Sequence, residues 1–134
     1  MNAPFRILIT DRNRHVRELL QREFRHAGFQ TQVARDGQEV FMIVGADQPP
    51  DLLILDLEMP HGDGLEILQR LQTHHSPLPV VIHAFLAEHS NQPAVEKAAA
   101  LVEKKGDTNC LKAAVVEVLK KYYPSRFEGM PAQM

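Results

Sequence analysis

The fold of this chain is decided by the stretch Asp51-Leu-Leu-Ile-Leu-Asp56-Leu-Glu58-Met-Pro60-His-Gly62-Asp63-Gly64. Within it, the unbroken apolar run 52–55 predicts a short strand that is buried on both faces, as in a parallel sheet covered by helices. The run ends at an acid, Asp56, and open α/β sheets bind their ligands beyond the carboxyl ends of the strands. Proline and glycine then predict a turn, after which helical spacing resumes at Leu65. Asp56 is therefore the first candidate for a functional residue.

Strands and helices are predicted to alternate on both sides of this stretch. Apolar runs and alternating patterns predict strands at 5–10, 29–33, 52–55, 80–84 and 100–103. Helical spacing, with capping residues and glycine or proline stops, predicts helices at 13–27, 37–44, 65–74, 88–100 and 108–122. This alternation predicts an α/β fold, a doubly wound five-stranded parallel sheet with helices on both faces and every strand's carboxyl end at one edge.

Length and composition limit the protein class. The 134 residues fit one domain, which we expect at 1–123, with 124–134 as a tail or the start of a linker. The apolar and charged fractions, 44% and 24%, are near those of soluble globular proteins, and no apolar run approaches the ~18 residues of a membrane span. No secretory signal is visible, so we expect a cytoplasmic protein. A net charge of −2 argues against nucleic-acid binding.

The motif Asp56-Leu-Glu58-Met-Pro60-His-Gly62-Asp63-Gly64 resembles the phosphoacceptor loop of response-regulator receiver domains. The resemblance implies the flavodoxin-like strand order 2-1-3-4-5. It also implies that Asp56 accepts a phosphoryl group from a histidine kinase or phosphotransfer protein. The signal would then reach a downstream protein target through the face of strand 4, helix 4, strand 5 and helix 5, a face through which such domains also form homodimers.

The strand order predicts an acid pocket, because it places Asp11 after strand 1 opposite Asp56 after strand 3. In receivers, Mg²⁺ is held by two acids after strand 1, the phosphoacceptor and a backbone carbonyl, which here is that of Glu58. Arg12 stands where the second acid belongs. A charge at ~4 Å is worth ~1 kcal/mol in a wet site and ~4 kcal/mol at an effective dielectric near 20, so we expect Mg²⁺ affinity to fall at least ~tenfold. The guanidinium either points to solvent or pairs with one of the acids in the metal's place.

Lys104 matches the receiver lysine that contacts the phosphoryl oxygens, although a simple counter-ion role for Asp56 explains it equally well. Three other positions depart from the family pattern. Ala84 replaces the hydroxyl residue at the end of strand 4, and Phe85 replaces a small residue, so its ring is expected to crowd the approach to the acid. Leu101 replaces the aromatic residue of strand 5, so both partners of the usual switch are absent.

These residues leave two main hypotheses. The first is a receiver phosphorylated on Asp56, and the second is a pseudo-receiver that binds protein partners without Mg²⁺-dependent phosphorylation. Neither is an enzyme beyond self-phosphorylation and dephosphorylation at this residue. A phosphatase of the haloacid dehalogenase type would require aspartate where Glu58 stands, two residues after the nucleophile. His83 is expected to face the opposite side of the sheet from Ala84, as a hydrogen-bonded core histidine.

Overall fold

The strands form one parallel sheet in the computed structural model, which describes residues 4–59, 64–74, 76–85, 92–105 and 107–127. The strands are β1 (Arg6–Thr10), β2 (Gln30–Ala34), β3 (Leu52–Leu55), β4 (Val80–Ala84) and β5 (Ala100–Glu103). Their order is β2-β1-β3-β4-β5 and every pairing is parallel, which confirms the predicted topology.

The described helices lie on both faces of the sheet. They are α1 (Arg14–His26), α2 (Gly37–Val44), α3 (Gly64–Thr73), α4 (Pro93–Glu96), α5 (Asn109–Tyr122) and α6 (Pro124–Phe127). Alternate strand residues pack in opposite directions, because successive side chains of a strand point to opposite faces. One apolar cluster joins the sheet to α2, α3 and α4, and a second joins it to α1 and α5. All four residues of β3 are fully buried, as their unbroken apolar run predicts.

The helix ends follow the sequence signals. The Asn13 side chain accepts hydrogen bonds from the backbone N–H groups of His15 and Val16 at the start of α1. Gly28, just after that helix, has a φ of 98°, which glycine adopts more readily than other residues. At α5 the N-cap position is Thr108, but the side chain that accepts a backbone hydrogen bond there is that of Asp107.

The chain departs from its predicted limits in two places. The helix expected at 88–100 is described only as the short α4, which ends at Glu96; residues 97–99 are not helical and 100 begins β5, so the predicted C-terminal end is wrong, and residues 86–91 lie outside the described residues. Residues 124–127, expected in a tail, form α6, because proline suits the first turn of a helix and Phe127 stacks on Phe5 at 5.2 Å. Arg126 also donates to Asp51 at 2.7 Å. The packed unit therefore extends beyond 123, and residues 128–134 lie outside the description.

Among the described helices, none has the length and apolar character needed to cross a membrane.

Candidate functional site

The two predicted acids and the lysine meet at the carboxyl edge of the sheet. Because β1 and β3 are neighbours, Asp11 and Asp56 extend from adjacent strand ends, and both are buried. Lys104 follows β5, and its Nζ lies 2.9 Å from Asp56 Oδ1 and 3.4 Å from Asp11 Oδ2. The structure therefore brings together all three charged side chains that the motif and the strand order single out.

Hydrogen bonds hold both oxygens of Asp56. Oδ1 accepts from the backbone N–H of Glu58 at 2.9 Å as well as from Lys104, and Oδ2 accepts from the backbone N–H of Arg12 at 2.9 Å. The carboxylate is thus oriented by donors from three separate segments of the chain. Such a fixed geometry suits a nucleophile, because the reacting atom need not be ordered at the moment of reaction.

The pKa values of the charged side chains in the pocket depend on burial and on one another. Burial alone would raise the pKa of Asp56, but the hydrogen bonds from Lys104 and from two backbone N–H groups outweigh it and lower that pKa. Burial raises the pKa of Asp11, and the nearby Asp56 charge adds to this effect. Burial opposes the charge of Lys104, yet its three carboxylate neighbours raise its pKa. Asp56 is therefore the acid held as a carboxylate, and Lys104 is its ammonium partner.

The Arg12 side chain is exposed and points to solvent. Its contribution to the pocket is the backbone N–H that reaches Asp56. Within the described part of the chain, its guanidinium forms no hydrogen bond or ion pair. Of the two alternatives for Arg12, the structure therefore has the solvent-facing one, since the Lys104 ammonium already lies between the two carboxylates.

The residues present do not fit a divalent cation as they stand. Mg²⁺ is usually held by carboxylate and phosphate oxygens, and Asp11 Oδ2, which is buried, lacks a hydrogen-bond partner within the described residues. However, the Lys104 ammonium lies 3.4 Å from that oxygen, and the described residues contain no group of three or more metal-ligating side chains arranged for a metal ion. Arg12 stands where the family resemblance places a second acid, so the pocket also has one carboxylate fewer to bind the cation.

Of the three other unusual positions, Ala84 and Phe85 lie beside Lys104. Ala84 is fully buried at the end of β4, and its carbonyl oxygen accepts from the backbone N–H of Lys104 at 3.0 Å. Phe85 is 43% exposed, and the centre of its ring lies 5.2 Å from Lys104 Nζ. A cation at this distance is attracted by the face of an aromatic ring. Leu101 is partly exposed on β5.

Three side chains of the site were not singled out by the sequence. Thr10 Oγ1 donates to the Ile54 carbonyl at 3.0 Å and accepts from the backbone N–H of Asp56 at 2.9 Å, so it couples the ends of β1 and β3. Arg17 donates to the carbonyl of Asp11 at 2.7 Å. The Glu58 carboxylate lies 3.3 Å from Lys104 Nζ. A hydroxyl at the end of an apolar strand was a usable signal for Thr10.

His83 is buried on the side of the sheet opposite Ala84, as predicted from strand alternation. The prediction that it is hydrogen-bonded is wrong for one ring nitrogen, since Nδ1 has no partner within the described residues. The side chain faces the apolar cluster that joins the sheet to α1 and α5, where few hydrogen-bond acceptors are available. Burial, with a smaller effect of the Lys104 charge, lowers the pKa of His83 to about 4.

We expect His83 to make the fold sensitive to mild acid. Its folded-state pKa of about 4 is below the ordinary 6.5, so the unfolded chain binds more protons between these values and stability falls as pH drops through them. At pH 5 this costs about 2 kcal/mol relative to neutral pH. Urea unfolding of the wild type and of His83→Leu at pH 7.5 and pH 5 measures it. An unchanged pH dependence in the variant would show that other groups are responsible.

Most of the chain is similar to known proteins. Residues 7–121 match the family described as the response regulator receiver domain. Response regulator MprA of Mycolicibacterium vanbaalenii is 38% identical over 79 residues, which are 59% of this chain and 34% of that protein. Its counterpart in Mycobacterium avium is 39% identical over 77 residues, 58% of this chain and 33% of that protein. The chain thus spans about a third of the length of these curated relatives.

Solved structures share the fold. Response regulator protein TrrA of Thermotoga maritima, in complex with Mg²⁺-BeF, is 27% identical with a TM-score of 0.79, covering 86% of this chain and 99% of that one. TrrA in complex with the histidine kinase ThkA gives a TM-score of 0.76 at 27% identity, covering 86% and 98%. A CheY-like receiver domain protein from Methanospirillum hungatei has a TM-score of 0.82, covering 92% and 99%, and its 18% identity supports the fold alone.

Proposed function

The chain belongs to the response regulator receiver domain family, and on that premise we propose that it accepts a phosphoryl group on Asp56 in a two-component phosphorelay. The observation that carries the proposal is the buried carboxylate of Asp56, held by Lys104 at 2.9 Å and by two backbone N–H groups. The activity is limited to self-phosphorylation and dephosphorylation at this residue, and the output is a change in protein contacts.

The chemistry assigned to Asp56 is a displacement at phosphorus. A carboxylate oxygen forms a bond to the phosphorus atom while the bond from phosphorus to the donor atom breaks, and the leaving group keeps that electron pair. Oδ2 accepts one hydrogen bond and Oδ1 accepts two, so Oδ2 is the better placed nucleophile. The Lys104 ammonium offsets the negative charge that gathers on the phosphoryl oxygens.

The proposed phosphodonor is a histidine kinase or phosphotransfer protein. One structural relative, TrrA, was solved in complex with the histidine kinase ThkA, which supports a partner of this class. A downstream protein target is proposed to bind the face of β4, α4, β5 and α5, where Leu101 is partly exposed, and the same face is proposed for a homodimer. A cytoplasmic location is part of this proposal.

A small phosphodonor tests the function. We expect wild-type protein incubated with acetyl phosphate to gain one labile phosphoryl group, as measured by intact mass, and Asp56→Ala to gain none. The expected difference is complete, because the variant lacks the accepting oxygen. A wild-type chain that never gains the group, or an Asp56→Ala variant that gains it equally, would overturn the proposal. The first of these results would favour the pseudo-receiver.

We also propose that Mg²⁺ binds weakly, because Arg12 stands where the family has an acid. Titration of the wild type should show no saturation at low millimolar Mg²⁺. Arg12→Asp should bind Mg²⁺ at least ~tenfold more tightly, because it removes one positive charge and adds one negative charge, each worth ~1 kcal/mol in a wet site. Isothermal titration calorimetry measures both. Arg22→Asp, an exposed change of equal charge on α1, is the control. Tight binding by the wild type would contradict this expectation.

A further inference from the structure

The Glu58 side chain belongs to the acid pocket together with its backbone. Its Oε1 lies 3.3 Å from Lys104 Nζ, and 10% of the side chain is exposed. The same ammonium contacts Asp56 at 2.9 Å and Asp11 at 3.4 Å. Three carboxylates therefore share one ammonium group. The ammonium donates a hydrogen bond to Asp56 and forms ion pairs with the other two carboxylates.

Phosphorylation of Asp56 changes the negative charge that the Lys104 ammonium must balance. When all four groups are ionised, three negative charges face one positive charge. Phosphorylation replaces the single charge of Asp56 with about −1.5 to −2 and adds acceptor oxygens. Lys104 must then pair with those oxygens, and its ion pair with Glu58 competes with that contact. The Glu58 charge also repels an incoming anionic donor.

We propose that Glu58 is a positioning residue that limits phosphorylation of Asp56 by holding the Lys104 ammonium and by adding negative charge beside the acceptor. This inference rests on the proposed phosphoryl acceptance at Asp56. It assigns a role to the carboxylate of Glu58, whereas the family resemblance uses only its backbone carbonyl. The low exposure of Glu58 makes the effect larger than that of a surface charge, because water screens it less.

The test compares initial rates of adduct formation with acetyl phosphate, followed by intact mass. We expect Glu58→Gln to react roughly fivefold faster or more than the wild type, which corresponds to ~1 kcal/mol of electrostatic interaction. Glu58→Asp, whose side chain is one methylene shorter and reaches less far toward Lys104, should give an intermediate rate. Glu117→Gln, an exposed change of equal charge on α5, should react like the wild type. Urea unfolding of each variant identifies any general loss of structure.

The outcomes separate this inference from the function on which it rests. A labelled wild type with an equally fast or slower Glu58→Gln variant overturns the role of Glu58 and leaves Asp56 phosphorylation standing. An equal increase in Glu117→Gln also overturns it, because net charge alone would then explain the rate. If neither the wild type nor Glu58→Gln is labelled, both proposals fail. A label that forms only in Glu58→Gln supports the role of Glu58 but overturns phosphoryl acceptance by the wild type.

Discussion

Replacing Lys104 by methionine is expected to lower the free energy of unfolding by about 3 kcal/mol at neutral pH. The ammonium is 14% exposed and is the shared partner of three carboxylates, including the fully buried one of Asp56. Methionine fills a similar volume but leaves those charges facing each other in a poorly hydrated pocket. Urea unfolding followed by circular dichroism measures the loss, and adduct formation with acetyl phosphate should fall with it.

A second substitution tells whether the loss of stability arises from the Asp56 carboxylate that Lys104→Met leaves unpaired. In the Lys104→Met background, Asp56→Asn removes one buried charge and should restore at least half of the lost stability, because repulsion with Asp11 disappears. Lys112→Met, which removes an ammonium from the partly exposed pair with Glu23, is the matched control and should cost much less stability than Lys104→Met. A Lys104→Met loss as small as the control's would contradict the electrostatic description of the pocket.

Gly64→Ala is expected to destabilise the fold by about 3 kcal/mol and to abolish phosphorylation of Asp56. An added Cβ would lie 2.5 Å from Leu57 Cα and closer still to the Asp56 carbonyl oxygen. Both contacts are with backbone, which a rotamer change cannot relieve, so the segment that follows β3 must move. The backbone of Gly64 also donates to the Leu57 carbonyl at 3.0 Å. Unfolding in urea and intact mass after acetyl phosphate measure the two effects.

The control for this prediction is Gly37→Ala at the start of α2. There the added Cβ meets only side-chain atoms of Ile67, at 3.1 Å, and these can shift. Alanine also favours the helix by up to about 1 kcal/mol relative to glycine, which offsets the crowding. We therefore expect little change in stability and normal labelling. Similar losses in the Gly37 and Gly64 variants would mean that close approach to the Asp56 backbone is not the cause.

The sheet could be predicted from the sequence because its signals are local. The unbroken apolar run 52–55 indicates a strand covered on both faces, and the observed β3 has the predicted bounds. The caps at Asn13 and Asp36 were also predictable, since a capping side chain bonds within a few residues of itself. The short α6 was missed because its stabilising contact, Phe127 on Phe5, joins the two ends of the described chain.

The site was predictable as far as strand order and a family motif determine which residues meet. Asp11, Asp56 and Lys104 come together although the last two are 48 positions apart. Side-chain direction was not predictable: Arg12 left two alternatives open, and the structure has its guanidinium in solvent. The contact of Glu58 with Lys104 was missed for the same reason, because a loop residue carries no strand or helix periodicity that would fix its direction.

The most direct test of the account is to identify the residue that carries the phosphoryl group. After labelling with acetyl phosphate, borohydride reduction converts an aspartyl phosphate to homoserine, and tandem mass spectrometry locates that residue. We expect homoserine at position 56 and nowhere else. Reduction products at Asp11 or Glu58 with an intact Asp56, or no reduction product at all, would contradict it.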